Sequence, residues 1–186
     1  MFKVLLERIA SELNQTEIPY MIIGGQAVLL YGEPRLTKDI DITLGIGIEK
    51  LSVIKKLAQN LRLKFLVEKV EDFVRNTMVL PTQDPTSGIR VDFIFSFSPY
   101  ERQAIDRSVP IVFNHIPVQF ANLEDVIIHK IFAKRPRDLE DVRTILIKNP
   151  EYDIQYINRW LEKFDESLEE NFLDTFRKIA STLKSE

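Results

Sequence analysis

Apolar residues recur along the chain at two different spacings, and the switch between them outlines the fold. Over residues 3–13, Val4, Leu5, Ile9 and Leu13 stand at helical intervals with polar residues between, which predicts an amphipathic helix ending near Asn14. Pro19 then opens an uninterrupted apolar run over 20–23, a short buried strand. Gly24-Gly25 ends it in a tight turn before helical composition resumes over 26–31. A loop around Gly32 and Pro34 leads to a second strand over 39–44, closed by Gly45 and Gly47. Ile48, Leu51, Ile54, Leu57, Ala58 and Leu61 fall on one face of the next helix. Residues 63–75 hold neither period for long, and the expectation there is a short strand followed by irregular structure.

Strands are predicted over 77–80 and 89–95, joined by the turn-rich segment 81–88. A short helix over 98–108 follows, then two strands within 109–120 that turn at Asn114-His115. From Asn122, a candidate N-cap, the pattern is helical throughout: 123–132, a helix opening at Pro136 and stopped by Asn149-Pro150, and two more over 154–164 and 168–183. Asp138, Glu140 and Asp141 put negative charge near the second of these N-termini. The pattern thus predicts an α/β (α+β) core over 1–120 and a C-terminal helical extension over 121–186.

Two of the predicted strands contain acids where apolar residues would be expected. In IIGGQAVLLYGEPRLTKDIDITL, residues 22–44, Asp39 and Asp41 share one strand face, about 7 Å apart at Cα, while Ile40, Ile42 and Leu44 share the other. The apolar face can be buried while the acids project into a cleft. In IRVDFIF, Asp92 shares a face with Arg90 and Ile94, and Val91, Phe93 and Phe95 form the core-facing set. Paired carboxylates suit a divalent cation, and a diglycine suits close approach of a phosphate to the backbone.

Composition narrows the chemistry. At 186 residues, 45% hydrophobic and 28% charged, the chain fits one folded domain with or without an appendage, and a disordered or collagen-like reading is excluded. No apolar run reaches the roughly 20 residues that span a bilayer, and Lys3, Glu7 and Arg8 interrupt the N-terminal apolar positions, so the expected location is cytoplasmic, with no membrane partner. With no cysteine, thiolate zinc sites and cysteine nucleophiles are excluded; His115 and His129 are too few for a histidine-rich centre, so any metal must be held by oxygens. A net charge of -3 gives no global basic signal, and an RNA or DNA partner would have to meet a local patch.

The order of these features resembles the nucleotidyltransferase superfamily, whose motif is an apolar residue, Gly-Gly or Gly-Ser, about a dozen residues, then acid, apolar, acid, apolar, with a third acid on a later strand. Ile23-Gly24-Gly25 followed by Asp39-Ile40-Asp41-Ile42 matches it, and Asp92 stands where the third acid is expected. GGQAVLLYGEPRLTKDID resembles the branch that includes the AbiEii-type toxins and small relatives, as does EDVIIHKIFAKRPRDLEDVRTIL, a lysine-bearing helix, a basic loop and an R-D-x-x-D helix start.

The resemblance implies a nucleotidyltransferase-type mixed sheet flanked by helices, with Mg²⁺ ligated by Asp39 and Asp41 and a nucleoside triphosphate held near Gly24 and Gly25. Asp92 would be a second-metal ligand, making a two-metal site, or the general base. Lys130 would contact the triphosphate, and Asp138 would be tied to activity. Arg35 and Thr37 would bind phosphate or simply fix the loop before the acidic strand. The implied acceptor is a tRNA end, a protein side chain or a small molecule, and the implied regulator an antitoxin partner; a catalytically inactive nucleotide-binding or protein-interaction module is the alternative. Outside the motifs, Lys134, Arg135 and Arg137 read as a solvated basic loop in preference to a nucleic-acid site, His115 as a turn residue, and Tyr156 with Trp160 as packing residues of the extension.

Overall fold

The computed structural model describes residues 2–96 and 98–183, and the chain divides into two compact units. The first runs to Gln26 and resumes from Thr37 to Ala121; the second comprises Ala27–Leu36 and the chain from Asn122 onward.

The first unit holds a mixed sheet of seven strands among the described residues: β1 Tyr20–Ile23, β2 Asp39–Leu44, β3 Lys64–Phe65, β4 Val79–Gln83, β5 Arg90–Phe95, β6 Val109–Phe113 and β7 Ile116–Phe120, in the order β3-β4-β5-β2-β1-β7-β6. β2 pairs antiparallel with β1 and parallel with β5, while β1 pairs parallel with β7. Helix α1, Phe2–Thr16, packs against β7 through the apolar stripe Leu5, Leu6, Ile9, Ala10 and Leu13. Phe93, Phe95, Ile40, Ile42 and Leu44, the apolar faces of β5 and β2, are among the most completely buried side chains.

Departures from the sequence expectation include the helix predicted over 154–164, which runs on to Leu168 so that the last helix starts at Phe172, and two segments of the first unit. The region after β3 is not irregular: Val70–Thr77 is a helix, α4. Its period is legible only from Val70 onward, where Val70 and Val74 are buried one turn apart, Glu71 and Asp72 lie in the first turn and Arg75 in the last. Phe65 and Val67 precede it and blurred the pattern. Strand β4 also runs through Pro81 to Gln83 instead of ending at Leu80. Pro81 offers its carbonyl to the Leu66 N–H at 3.0 Å, so its missing N–H falls on the side of the two-residue β3, not of β5. Between β2 and β3 lie a short 3-10 turn, Ile48–Lys50, and helix α3, Leu51–Asn60; α5, Pro99–Asp106, follows β5 and is capped by the Ser98 hydroxyl.

Helix α2, Gly24–Tyr31, begins at the diglycine itself, so the turn and the helix start are the same residues. Its part from Ala27 onward belongs to the second unit, with α6 Leu123–Ala133, α7 Pro136–Lys148, α8 Ile154–Leu168 and α9 Phe172–Leu183. The end of α7 holds the end of α2: Lys148 Nζ donates to the Gly32 carbonyl at 3.1 Å and Asn149 Nδ2 to the Tyr31 carbonyl at 2.8 Å, satisfying carbonyls that a helix terminus leaves without intrahelical partners. Asn122 caps α6 as its sequence position predicts. The Tyr156 hydroxyl donates to buried Asp125 at 2.8 Å, which ties α8 to α6. Burial and the charges of Glu124 and Asp125 push the Tyr31 phenol up to about 12.

Candidate active site

The parallel register of β2 and β5 decides the geometry. Asp39 stands opposite Arg90, and Asp41 opposite Asp92. Neighbouring strands in register present paired residues on the same face, spaced about 5 Å across the strands and about 7 Å along them. Ile40, Ile42, Val91 and Phe93 are buried on one face, so Asp39, Asp41, Arg90 and Asp92 form a four-residue charged patch on the other. Like charges facing each other across a sheet destabilise it, and the Asp41–Asp92 pair is such a placement. Arg90 offsets it by donating Nε to Asp92 Oδ1 at 2.8 Å. That bond raises the Arg90 guanidinium above its ordinary range; partial burial acts against the rise, and the charges of Asp92, Asp39 and Asp41 add to it.

Gly24 completes this face. Its φ is +66°, in the left-handed region, and a Cβ built on it would lie 2.0 Å from Asp41 Oδ2. The Asp41 carboxylate therefore rests against the bare Cα at the start of α2, where backbone N–H groups carry the positive end of the helix. Gly25 is the second residue of that helix, and Gln26 Nε2 donates to the Thr37 hydroxyl, joining the helix start to the approach to β2. Gly24→Ala should cost about 1–2 kcal/mol of stability from the backbone and displace Asp41, lowering activity about 100-fold. Gly88→Ala is the control, because Gly88 has φ +71° but nothing within 4 Å of its added Cβ. It should show the backbone cost in a denaturant titration and leave activity unchanged.

The remaining sequence-predicted residues, Arg35, Lys130 and Asp138, lie in the second unit and are brought together there. Lys130 Nζ is 2.5 Å from Asp138 Oδ1 and 3.0 Å from Asp141 Oδ2, with all three side chains at most 6% exposed. Arg35 makes a two-pronged pair with Asp141, Nε to Oδ1 at 3.0 Å and Nη2 to Oδ2 at 2.9 Å, and Arg135 Nε donates to Asp138 Oδ2. Burial by itself would push the Asp138 carboxyl up, but the bonds from Arg135 and Lys130 together hold it below its ordinary value. Lys134 is likewise engaged, with Glu170 and Asn171 and over the Phe172 ring.

Sequence reasoning did not assign roles to two residues now seen in these clusters. Asp141 was visible as the second acid of R-D-x-x-D, three residues after Asp138 and hence on the same side of α7. Arg90 was visible only as a face-mate of Asp92, with no signal that it would bond to it.

The donor set fits a hard divalent cation: Asp39, Asp41 and Asp92 are all carboxylates on one face, beside a glycine at the N-terminal end of a helix whose missing Cβ leaves room for the Asp41 carboxylate. Among the described residues no group of three or more acidic, histidine or cysteine side chains converges as a ready-made metal cage. Mg²⁺ held by one or two carboxylates together with substrate phosphates does not require one.

This sheet, with paired acids beside a glycine-opened helix, has the fold of nucleotidyltransferases. The structure is similar to an antigenic nucleotidyltransferase-like protein from Paracoccidioides brasiliensis (TM-score 0.56, 16% identity, covering 94% of this chain and 91% of that one). It is also similar to the antibiotic-resistance factor ANT(2'')-Ia, solved in complex with adenylyl-2''-tobramycin (TM-score 0.58, 15% identity, covering 95% and 97%). At these identities the likeness shows the fold. Residues 2–182 match the family described as nucleotidyltransferase of unknown function (DUF6036), and the chain belongs to that family. No curated protein matches it. No helix among the described residues is long and apolar enough to cross a membrane.

Proposed function

We propose that the acid face of β2 and β5 transfers a nucleoside monophosphate from a nucleoside triphosphate to an acceptor hydroxyl, with release of pyrophosphate. The observation that carries this reading is the register that sets Asp41 beside Asp92, with Asp39 two residues away and Gly24 against the Asp41 carboxylate. Asp39 and Asp41 would hold Mg²⁺, which when bound neutralises charge on the triphosphate. The start of α2 at Gly24 and Gly25 would receive phosphate oxygens on its N–H groups, with Thr37 beside Gln26 closing that end. In the transfer, the acceptor oxygen forms a bond to the α-phosphorus while the bond from that phosphorus to the bridging β-phosphate oxygen breaks. Asp92 either accepts the hydroxyl proton as general base or acts as a further cation ligand.

Lys130 and Asp138 enter the proposal through the likeness of their segment to the downstream motif of AbiEii-type toxins. The same likeness supports a toxin whose activity a partner silences. Lys130 and Arg35 are both engaged by Asp141, so neither phosphate role is available without breaking a charged contact.

The acceptor is identified by incubating the protein with Mg²⁺ and each α-labelled nucleoside triphosphate, separately with total tRNA, with cell protein and with small polyhydroxylated or amino-sugar acceptors. The last arm is motivated by the adenylyl-tobramycin carried by ANT(2'')-Ia. Label is expected in one of the three fractions. No label in any would support the catalytically inactive module instead, a nucleotide-binding one if the triphosphate still binds and a protein-interaction one if neither metal nor nucleotide binds.

A further inference from the structure

We propose that Arg90 is a counter-ion built into the acid face, which occupies Asp92 until a divalent cation displaces it. The inference rests on the reading of Asp39, Asp41 and Asp92 as a cation-binding face. Its geometry lies wholly within the first unit.

Arg90 and Asp92 are two residues apart on β5, so both side chains leave the same face of the sheet. Arg90 also stands in register with Asp39 on β2, which places the guanidinium stem at the fourth corner of a rectangle whose other corners are the three acids. From there it turns along its own strand and donates to Asp92 Oδ1 at 2.8 Å. This is the one cation on that face of the two strands. The oxygen it engages belongs to the acid directly opposite Asp41.

A guanidinium bonded to Asp92 Oδ1 and a divalent ion ligated by the same carboxylate compete for its negative charge. A ligating oxygen sits about 2.0–2.1 Å from Mg²⁺, and two cations sharing one carboxylate oxygen repel each other. Arg90 is 48% exposed and Asp92 15%, so the guanidinium can swing out to water while the carboxylate stays in place. A half-exposed pair is weak and readily exchanged. Without a cation, Arg90 relieves the Asp41–Asp92 repulsion; with one, the cation takes over that task. Arg90 therefore sets how much free divalent ion is needed to load the site.

The test is Mn²⁺ binding by calorimetry, at constant ionic strength, to the full chain and its variants, with far-UV circular dichroism confirming the fold of each. Arg90→Gln is expected to bind Mn²⁺ about 3- to 10-fold more tightly than the unsubstituted protein. Arg90→Lys should stay near the unsubstituted value, because it keeps the charge. The gain from Arg90→Gln should vanish when Asp92→Asn is also present. Arg90→Ala repeats the measurement should Arg90→Gln fail to fold.

Unchanged or weaker binding in Arg90→Gln would overturn the proposal. So would an equal gain with Asp92→Asn present, which would make the effect one of net charge and not of this contact. If the unsubstituted protein binds Mn²⁺ and Asp41→Asn abolishes binding, the cation face stands and only the role of Arg90 is at stake. If the unsubstituted protein binds no Mn²⁺, the cation face and the proposal fall together.

Discussion

Asp41→Asn is expected to lower nucleotidyl transfer at least about 1000-fold while leaving the fold intact. Asp41 is the centre of the acid face: it is paired with Ile23 on β1 and with Asp92 on β5, and its carboxylate lies against Gly24. The amide has nearly the same volume, so Ile40 and Ile42 keep their places, and removal of one of two facing negative charges does not cost sheet stability. The loss should therefore appear in kcat without a fall in the thermal midpoint. Initial rates and a melting curve on the same preparation check both halves. Transfer within tenfold of the unsubstituted protein would remove Asp41 from the reaction.

The largest expected effect on stability comes from the other unit. Lys130→Met should destabilise the protein by about 3 kcal/mol, near the low end for breaking a buried ion pair, because Arg135 and Arg35 still partner the two acids left behind. In a chain of this size that corresponds to a fall in the thermal midpoint on the order of 10 °C. The comparison is Lys178→Met. Lys178 and Asp174 form an exposed i,i+4 pair, 76% and 57% exposed, and its loss should be barely measurable. Denaturant titration of both variants makes the check. A loss under about 1 kcal/mol for Lys130→Met would show that the Lys130 ammonium is not held between Asp138 and Asp141 in solution.

The elements that positioned the site were legible because each acid interrupts a strand whose apolar half is unmistakable. Ile40, Ile42 and Leu44 fix the inward face of β2, and that leaves Asp39 and Asp41 one place to go. The same reasoning placed Asp92 on β5. Register between strands is not carried by either strand alone, so the Asp41–Asp92 and Asp39–Arg90 pairings, and the bond from Arg90, emerged only in three dimensions. Helix α4 is not legible in the sequence because its buried apolar set is just Val70 and Val74, with Phe73 outside it, after a stretch with a different period. The sequence predicts a turn at the diglycine because composition cannot show that Gly24, at φ +66°, already opens α2.

In the second unit the R-D-x-x-D segment was recognised by likeness, but its physical use was not. Asp138 and Asp141 sit one turn apart on α7, and together they hold Lys130 from α6 and Arg35 from the segment that follows α2. Nothing in the spacing of Lys130 or Arg35 distinguishes a buried ion-pair partner from a solvated cation. Only burial of both acids, at 2% and 4% exposure, makes the distinction.

Position-specific labelling decides whether this acid face transfers the nucleotidyl group. With the acceptor identified as above, parallel reactions contain the same nucleoside triphosphate labelled at the α- or at the γ-phosphate, with the unsubstituted protein and with Asp41→Asn. The expected result is α-label on the acceptor and γ-label in pyrophosphate, both lost in Asp41→Asn. Label from the γ-phosphate on the acceptor, or α-label transfer that survives the loss of Asp41, would contradict the account.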